Sequence, residues 1–214
     1  MSMSELHKPE WYGECAIISD KYNDYVQIKY KCNGTGTLYD YSLFPGINLI
    51  FMDFNCSDIF HEPIPNKNII EIRHYQKGRV EFELRNNKVF HMKEGELCIN
   101  ALANVPAAYS FPFGYSVGLS CVIDKDSIDA KTKQIFSYYN IDVLNLGQEL
   151  EIEKKWFLCR TPQRLLHIFD ELYAAKGVEG KDYFRIKLLE LFYHIKQLRI
   201  EDQYEATYYS KEQI

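Results

Sequence analysis

A mostly β chain with C-terminal helices (α+β), a sandwich or barrel of short strands followed by about three α-helices, is the fold class the sequence predicts. Three observations lead there: repeated runs of β-branched and aromatic residues between Tyr22 and Asp124, turn chemistry separating those runs, and a switch to helical periodicity after Asp124.

In chain order, residues 1–21 are expected to be an N-terminal arm. The strand runs are Tyr25 to Lys31, Ile47 to Phe54, Ile69 to Tyr75, Arg79 to Leu84, Val89 to Met92, Leu97 to Ala101 and Tyr115 to Ile123. Between them Cys32-Asn33-Gly34-Thr35-Gly36, Pro45-Gly46, Lys77-Gly78, Asn86-Asn87, Glu94-Gly95 and Pro112-Phe113-Gly114 supply the restricted or positive φ that reversals need. Val80, Phe82 and Leu84 alternate with Arg79, Glu81 and Glu83, the pattern of a strand with one wet face. Tyr115, Val117, Leu119, Cys121 and Ile123 share one face of the last strand, and Ser116, Gly118 and Ser120 the other. Residues 22–125 thus form the barrel.

Residues 126–200 are expected to be helical. Asp126 or Ser127 can cap a first helix bearing Ile128, Thr132, Ile135 and Phe136, with Asn140 near its end. Thr161 as N-cap and Pro162 in the first helical position open a second, which presents Leu165, Leu166, Phe169, Leu172 and Tyr173 and stops at Gly177. A third runs from about Asp182 to Ile200. Its residues Phe184, Leu188, Leu191, Ile195 and Leu198 are spaced 4, 3, 4, 3, the seam of a short coiled coil, and are assigned to a homodimer interface. The same stripe also suits packing on the barrel. Residues 201–214 read as a linker.

The 214 residues, 46% of them hydrophobic and 15% aromatic, suffice for one substantial core. A net charge of −5 argues against the chain itself gripping a phosphate backbone, which needs clustered Lys and Arg. No apolar run approaches the roughly 18 residues of a spanning helix, and the start lacks signal-peptide character, so no membrane contact and a cytoplasmic location are expected. Cys15, Cys32, Cys56, Cys98, Cys121 and Cys159 are scattered singly. They read as reduced, mostly buried thiols with poor spacing for zinc. No nucleophile elbow, P-loop or dinucleotide fingerprint is present, and no catalytic residue or cofactor is assigned. His194, four residues after Glu190, suits a surface pair with it.

The segment Glu71-Ile-Arg-His-Tyr-Gln-Lys-Gly78, followed by a hairpin and Glu94-Gly95-Glu96, resembles the first motif of cupin barrels. In that family a His-x-His pair precedes the Glu and the three bind a metal inside the barrel. Here the pair's places fall near Pro65 and Lys67, His61 is too far upstream, His74 has the wrong strand parity, and Tyr109 to Phe113 occupies the stretch of the later His. No metal site is expected. The resemblance implies a cupin-like, jelly-roll barrel with Glu71 pointing inward, and period-2 alternation then points Arg73 and Tyr75 inward too. Two readings of that trio stand side by side: a self-satisfied ion pair bracing the barrel, or a ligand site. In the second, Glu71, Arg73 and Tyr75 fix a small molecule's polar ends, and Phe51, Phe82 and Tyr115 line its apolar part.

The order of features resembles the N-terminal half of AraC-family transcription regulators, particularly those of clostridia. The resemblance is carried by Leu43-Phe-Pro-Gly-Ile-Asn-Leu-Ile-Phe-Met-Asp-Phe54, Ile70 to Arg79, Glu94-Gly-Glu-Leu97, Ser110-Phe-Pro-Phe-Gly114 and Tyr183 to Leu191. It implies a barrel that binds an unknown small-molecule effector, a helical part that dimerises, and two helix-turn-helix units beyond Ile214, so that DNA is contacted only through that absent C-terminal domain. The rival readings are a metal-independent cupin enzyme of epimerase or isomerase type, with Glu71, Arg73 and Tyr75 as acid, clamp and base, and a ligand-free adaptor whose lumen is filled by its own side chains.

Overall fold

β-branched and aromatic residues alternating with polar ones dominate the first two thirds of the chain, and strands form there. The computed structural model describes residues 16–60, 68–83, 88–101, 106, 108–203 and 209–210. Its strands are β1 (Ala16–Lys21), β2 (Val26–Tyr30), β3 (Gly34–Phe44), β4 (Ile47–Cys56), β5 (Asp58–Phe60), β6 (Ile69–Glu83), β7 (Lys88–Lys93), β8 (Glu96–Ala101), β9 (Ala108–Ser110), β10 (Ser116–Asp124), β11 (Phe157–Arg160) and β12 (Tyr209–Ser210). The helices are α1 (Ala130–Tyr138), α2 (Gln163–Ala175) and α3 (Lys181–Ile195). The sheet order is β1-β2-β3-β4-β10-β6-β7-β12, with β8 joining β6 to β11 and β9 joining β6 to β5. The result is an antiparallel half-barrel with helices at its C-terminal end, the class the sequence predicts.

Several elements differ from expectation. Lys77-Gly78 is not a reversal: β6 runs 15 residues straight through it. Gly78 has φ +88°, and a Cβ there would lie 2.6 Å from the Tyr115 carbonyl oxygen. The glycine therefore permits a bend at the point where β10 slips register between Val117 and Gly118. Before the bend β6 pairs with β10 and β8, and after it with β7 and β9. β1 belongs to the sheet although it lies in the expected arm, β3 takes over much of the expected turn at Gly34 to Gly36, and β11 enters the sheet from within the expected helical part. The tail returns to pair Tyr209 with Val89.

Asp129, not Asp126 or Ser127, caps α1 by accepting from Thr132 N at 2.7 Å. α2 begins one residue after Pro162, and α3 stops at Ile195. Among the described residues no helix is long and apolar enough to cross a membrane.

Two apolar clusters lie on opposite sides of the sheet. One packs Leu49, Phe51, Ile72, Leu119 and Cys121 against Phe169, Phe184, Leu188 and Leu191 of the helices. The other fills the barrel interior with Ile50, Phe54, Tyr75, Phe82, Phe90, Val122 and Trp156.

The predicted dimer seam is corrected here. Phe184, Leu188, Leu191, Ile195 and Leu198 are all 1% exposed or less, covered by the chain's own sheet and α2. A 4, 3, 4, 3 stripe looks the same whether a partner helix or a sheet covers it. The large apolar residues α3 turns to solvent are Ile186 and Tyr193. Lys187 fastens α3 to α2 through Glu171, and also pairs with Glu190 at 2.5 Å. Glu190 in turn reaches His167 at 3.4 Å and not the expected His194.

Candidate functional site

Alternation along β6 sorts its side chains onto the two sides of the sheet. Ile70 and Ile72 join the helix-side cluster, while Tyr75 joins the barrel interior. Glu71 and Arg73 share the interior side with Tyr75, since directly paired residues point the same way: Glu71 faces Val122 and Asn100, and Arg73 faces Ser120 and Cys98.

Both charges are nearly enclosed, at 6% and 5% exposure. They pair in bidentate fashion: Arg73 Nε donates to Glu71 Oε1 at 3.1 Å and Nη2 to Oε2 at 2.6 Å. The Ser120 hydroxyl donates to the same Oε1, and Tyr109 OH accepts from Nη2 at 3.4 Å. The guanidinium carbon stands 5.1 Å from the Phe82 ring centroid and 5.3 Å from that of Tyr109, a placement suited to a flat, weakly hydrated cation. Burial opposes the charge on Arg73, but Glu71 beside it holds the guanidinium pKa well above its usual value. Arg73 therefore keeps its charge, set directly against the Glu71 carboxyl.

The hydrogen bonding is incomplete. Arg73 Nη1, Asn100 Nδ2 and Trp156 Nε1 are buried with no partner among the described residues. All three belong to interior-facing side chains: Asn100 pairs across from Glu71, and Trp156 packs edge-on to Phe82 and Phe90 at 5.3 and 5.2 Å. Each buried donor left without an acceptor costs on the order of 1–3 kcal/mol. A polar interior short of acceptors calls for water or for a ligand that brings them. Burial pushes the Tyr75 phenol well above its ordinary pKa, so it keeps its proton at neutral pH and is a poor base. Among the described residues no three His, Cys, Asp or Glu side chains gather where they could hold a metal. His61, Pro65 and Lys67 lie outside the described residues.

On the helix side of the same strand, His74 stacks on Phe169 of α2, centroids 4.2 Å apart and rings 5° from parallel. Tyr173 OH donates to the His74 carbonyl at 2.9 Å and lies 3.1 Å from Nδ1. With that hydroxyl hydrogen committed, Nδ1 is the protonated nitrogen donating back to Tyr173. Burial lowers the His74 pKa to about 4, so the ring is neutral at physiological pH. One strand thus presents Arg73 to the interior and His74 to α2.

Of the residues predicted to line a ligand, Glu71, Arg73, Tyr75 and Phe82 come together. Phe51 and Tyr115 do not. Phe51 pairs with Leu119, and Leu119 pairs with His74, which places Phe51 on the helix side against Phe184 at 5.6 Å. Tyr115 precedes the slip in β10 and is 45% exposed. Sequence reasoning missed Ser120, Asn100, Tyr109 and Trp156. For Ser120 the signal was present, as a small polar residue on the face opposite Leu119 and Cys121; the others depend on strand pairings that no local pattern announces.

No family model matches the sequence, and no curated protein sequence matches it. Solved structures similar to this chain include regulators of transcription. An apo variant of ToxT from Vibrio cholerae is 12% identical over 70% of this chain and 54% of that one, with TM-score 0.46. The AraC-like transcriptional activator CuxR is 8% identical over 78% of this chain and 57% of that one, with TM-score 0.44. Vibrio cholerae ToxT bound to a naphthyl-substituted butenoic acid is 8% identical over 71% and 57%, with TM-score 0.43. This chain spans 50–57% of the length of the first regulator structures it matches.

Proposed function

We propose that this chain is the effector-sensing part of an AraC-type transcription regulator, and that the effector is a small, uncharged molecule bearing carbonyl or similar acceptor groups on a flat apolar body. The observation that carries the ligand reading is the set of interior donors without a partner among the described residues, Arg73 Nη1, Asn100 Nδ2 and Trp156 Nε1. Glu71 already ion-pairs with Arg73, so an anionic ligand would bring a second, uncompensated charge into a buried site, whereas a neutral acceptor would not. The aromatic rings of Phe82, Phe90 and Trp156 supply the matching apolar wall. The regulator reading is supported by the motif order in the sequence, now set on a half-barrel with its helices packed outside.

The mechanism is linkage. An effector that favours one arrangement of β6 moves His74 against Phe169 and Tyr173, and α2 passes the change to α3 through the Lys187 and Glu171 pair. The helical part dimerises through the outward face of α3, with Ile186 and Tyr193 in place of the buried stripe. DNA is contacted through a further domain after Ile214, in the cytoplasm. A Tyr75 that holds its proton at neutral pH favours the sensor reading over one in which Tyr75 serves as a base. Sequencing the source gene past the Ile214 codon tests the regulator reading: two helix-turn-helix patterns in the following hundred or so residues support it, and an immediate stop codon overturns it.

A further inference from the structure

All five described cysteines are free thiols. Cys98, Cys121 and Cys159 are sealed at 1% exposure or less, but Cys32 and Cys56 meet at one end of the barrel. Cys56 ends β4 and belongs to the interior cluster; Cys32 sits half-buried in the tip of the β2–β3 hairpin and packs on that same cluster. Gly34 makes the approach possible. It pairs with Cys56, and its φ of +137° turns the tip back over the strand end. A Cβ at Gly34 would already stand 3.0 Å from the Cys56 Cβ. The Cys32 and Cys56 thiols share a hydrogen bond.

We infer that Cys32 and Cys56 form a redox pair that closes to a disulfide under hydrogen peroxide and reopens under a dithiol reductant. The partially exposed Cys32 is the sulfur a peroxide reaches. Its sulfur attacks one peroxide oxygen, the O–O bond breaks, the departing hydroxide leaves as water with the thiol proton, and Cys32 becomes a sulfenic acid. The Cys56 sulfur then attacks the Cys32 sulfur, the S–O bond breaks, and the hydroxyl leaves as a second water with the Cys56 proton. Two thiols are oxidised by one peroxide reduced to two waters. Burial raises the Cys56 thiol to about 12, which keeps it protonated and leaves Cys32 as the sulfur that meets the oxidant first. The new bond would pin the hairpin tip across the barrel end, beside the Phe54 and Phe111 stack at 5.0 Å, and restrict the unfolded chain.

The test treats the full chain with stoichiometric hydrogen peroxide and maps its non-reduced peptides by mass spectrometry. The expected result is a loss of two hydrogens, a Cys32–Cys56 peptide pair, and a thermal midpoint raised by several degrees that dithiothreitol reverses. In Cys56→Ser, dimedone should label Cys32; in Cys32→Ser, no internal link should form. A link from Cys32 to Cys15, or overoxidation of Cys32 with Cys56 left as a thiol in the folded wild type, would overturn the inference.

Discussion

The two sides of β6 are built on opposite principles. On the helix side Ile70, Ile72 and His74 meet a closed aromatic and aliphatic layer, and the His74 ring is stacked on Phe169 and bonded to Tyr173 through Nδ1, leaving one acceptor, Nε2, without a partner among the described residues. On the interior side Glu71 and Arg73 pair with each other, yet three donors, Arg73 Nη1 among them, go unmatched among the described residues. A strand that needed only to hold the fold together would gain nothing from unmatched donors, since each costs stability. The helix side, short of one donor at His74 Nε2, reads mainly as structural closure, and the interior side, with three donors clustered around one ion pair, as a place where stability has been given up for recognition.

The largest expected effect comes from breaking the closed side. Leu191→Glu puts a carboxylate into the helix-side core, and circular dichroism should find no cooperatively folded chain; a folded monomer would restore the α3 seam as an interface. Next is the interior pair. Arg73→Met strands a buried carboxylate and should cost about 3–5 kcal/mol in urea unfolding, while the double variant Glu71→Gln, Arg73→Met should recover most of that loss. Equal losses in both would mean that the pair does not act as a unit.

His74 sharpens the contrast through pH. Its folded pKa of about 4 lies below the unfolded 6.5, so the stability it protects is complete above pH 6.5 and is lost as pH falls toward 4. The loss is on the order of 3 kcal/mol, and His74→Phe should flatten that part of the stability profile. The smallest effect on folding belongs to the outward face of α3. Ile186→Ser with Tyr193→Ser should change stability by no more than about 0.5 kcal/mol, yet sedimentation should move a dimer to monomer if that face mediates pairing. An unchanged dimer removes α3 from the interface.

The division between the sides of β6 was legible in the sequence, because period-2 alternation along one strand separates Glu71, Arg73 and Tyr75 from His74, and Val80 and Phe82 from Glu81. What alternation leaves open is the phase of one strand relative to another. Phe51 is misplaced for that reason; Tyr115 is misplaced because it lies in the loop before β10 begins at Ser116 and is exposed. Ser120 bonds Glu71 from 49 residues away, and Trp156 enters from a segment that carries helical signals on both sides. Lys77-Gly78 has the composition of a turn, but φ +88° at a glycine serves a bend as well as a reversal. The stripe of α3 was found correctly as a stripe, and its covering surface was not written in its spacing.

The most direct measurement is an NMR titration that follows the Trp156 indole N–H, one of two indoles in the chain, with benzamide, benzoate and ethylbenzene as probes matched in size. The account predicts a saturable shift of that resonance with benzamide, and with benzoate and ethylbenzene a response at least tenfold weaker. Tighter binding of benzoate, or no response to any of the three, would contradict a neutral acceptor site in the barrel.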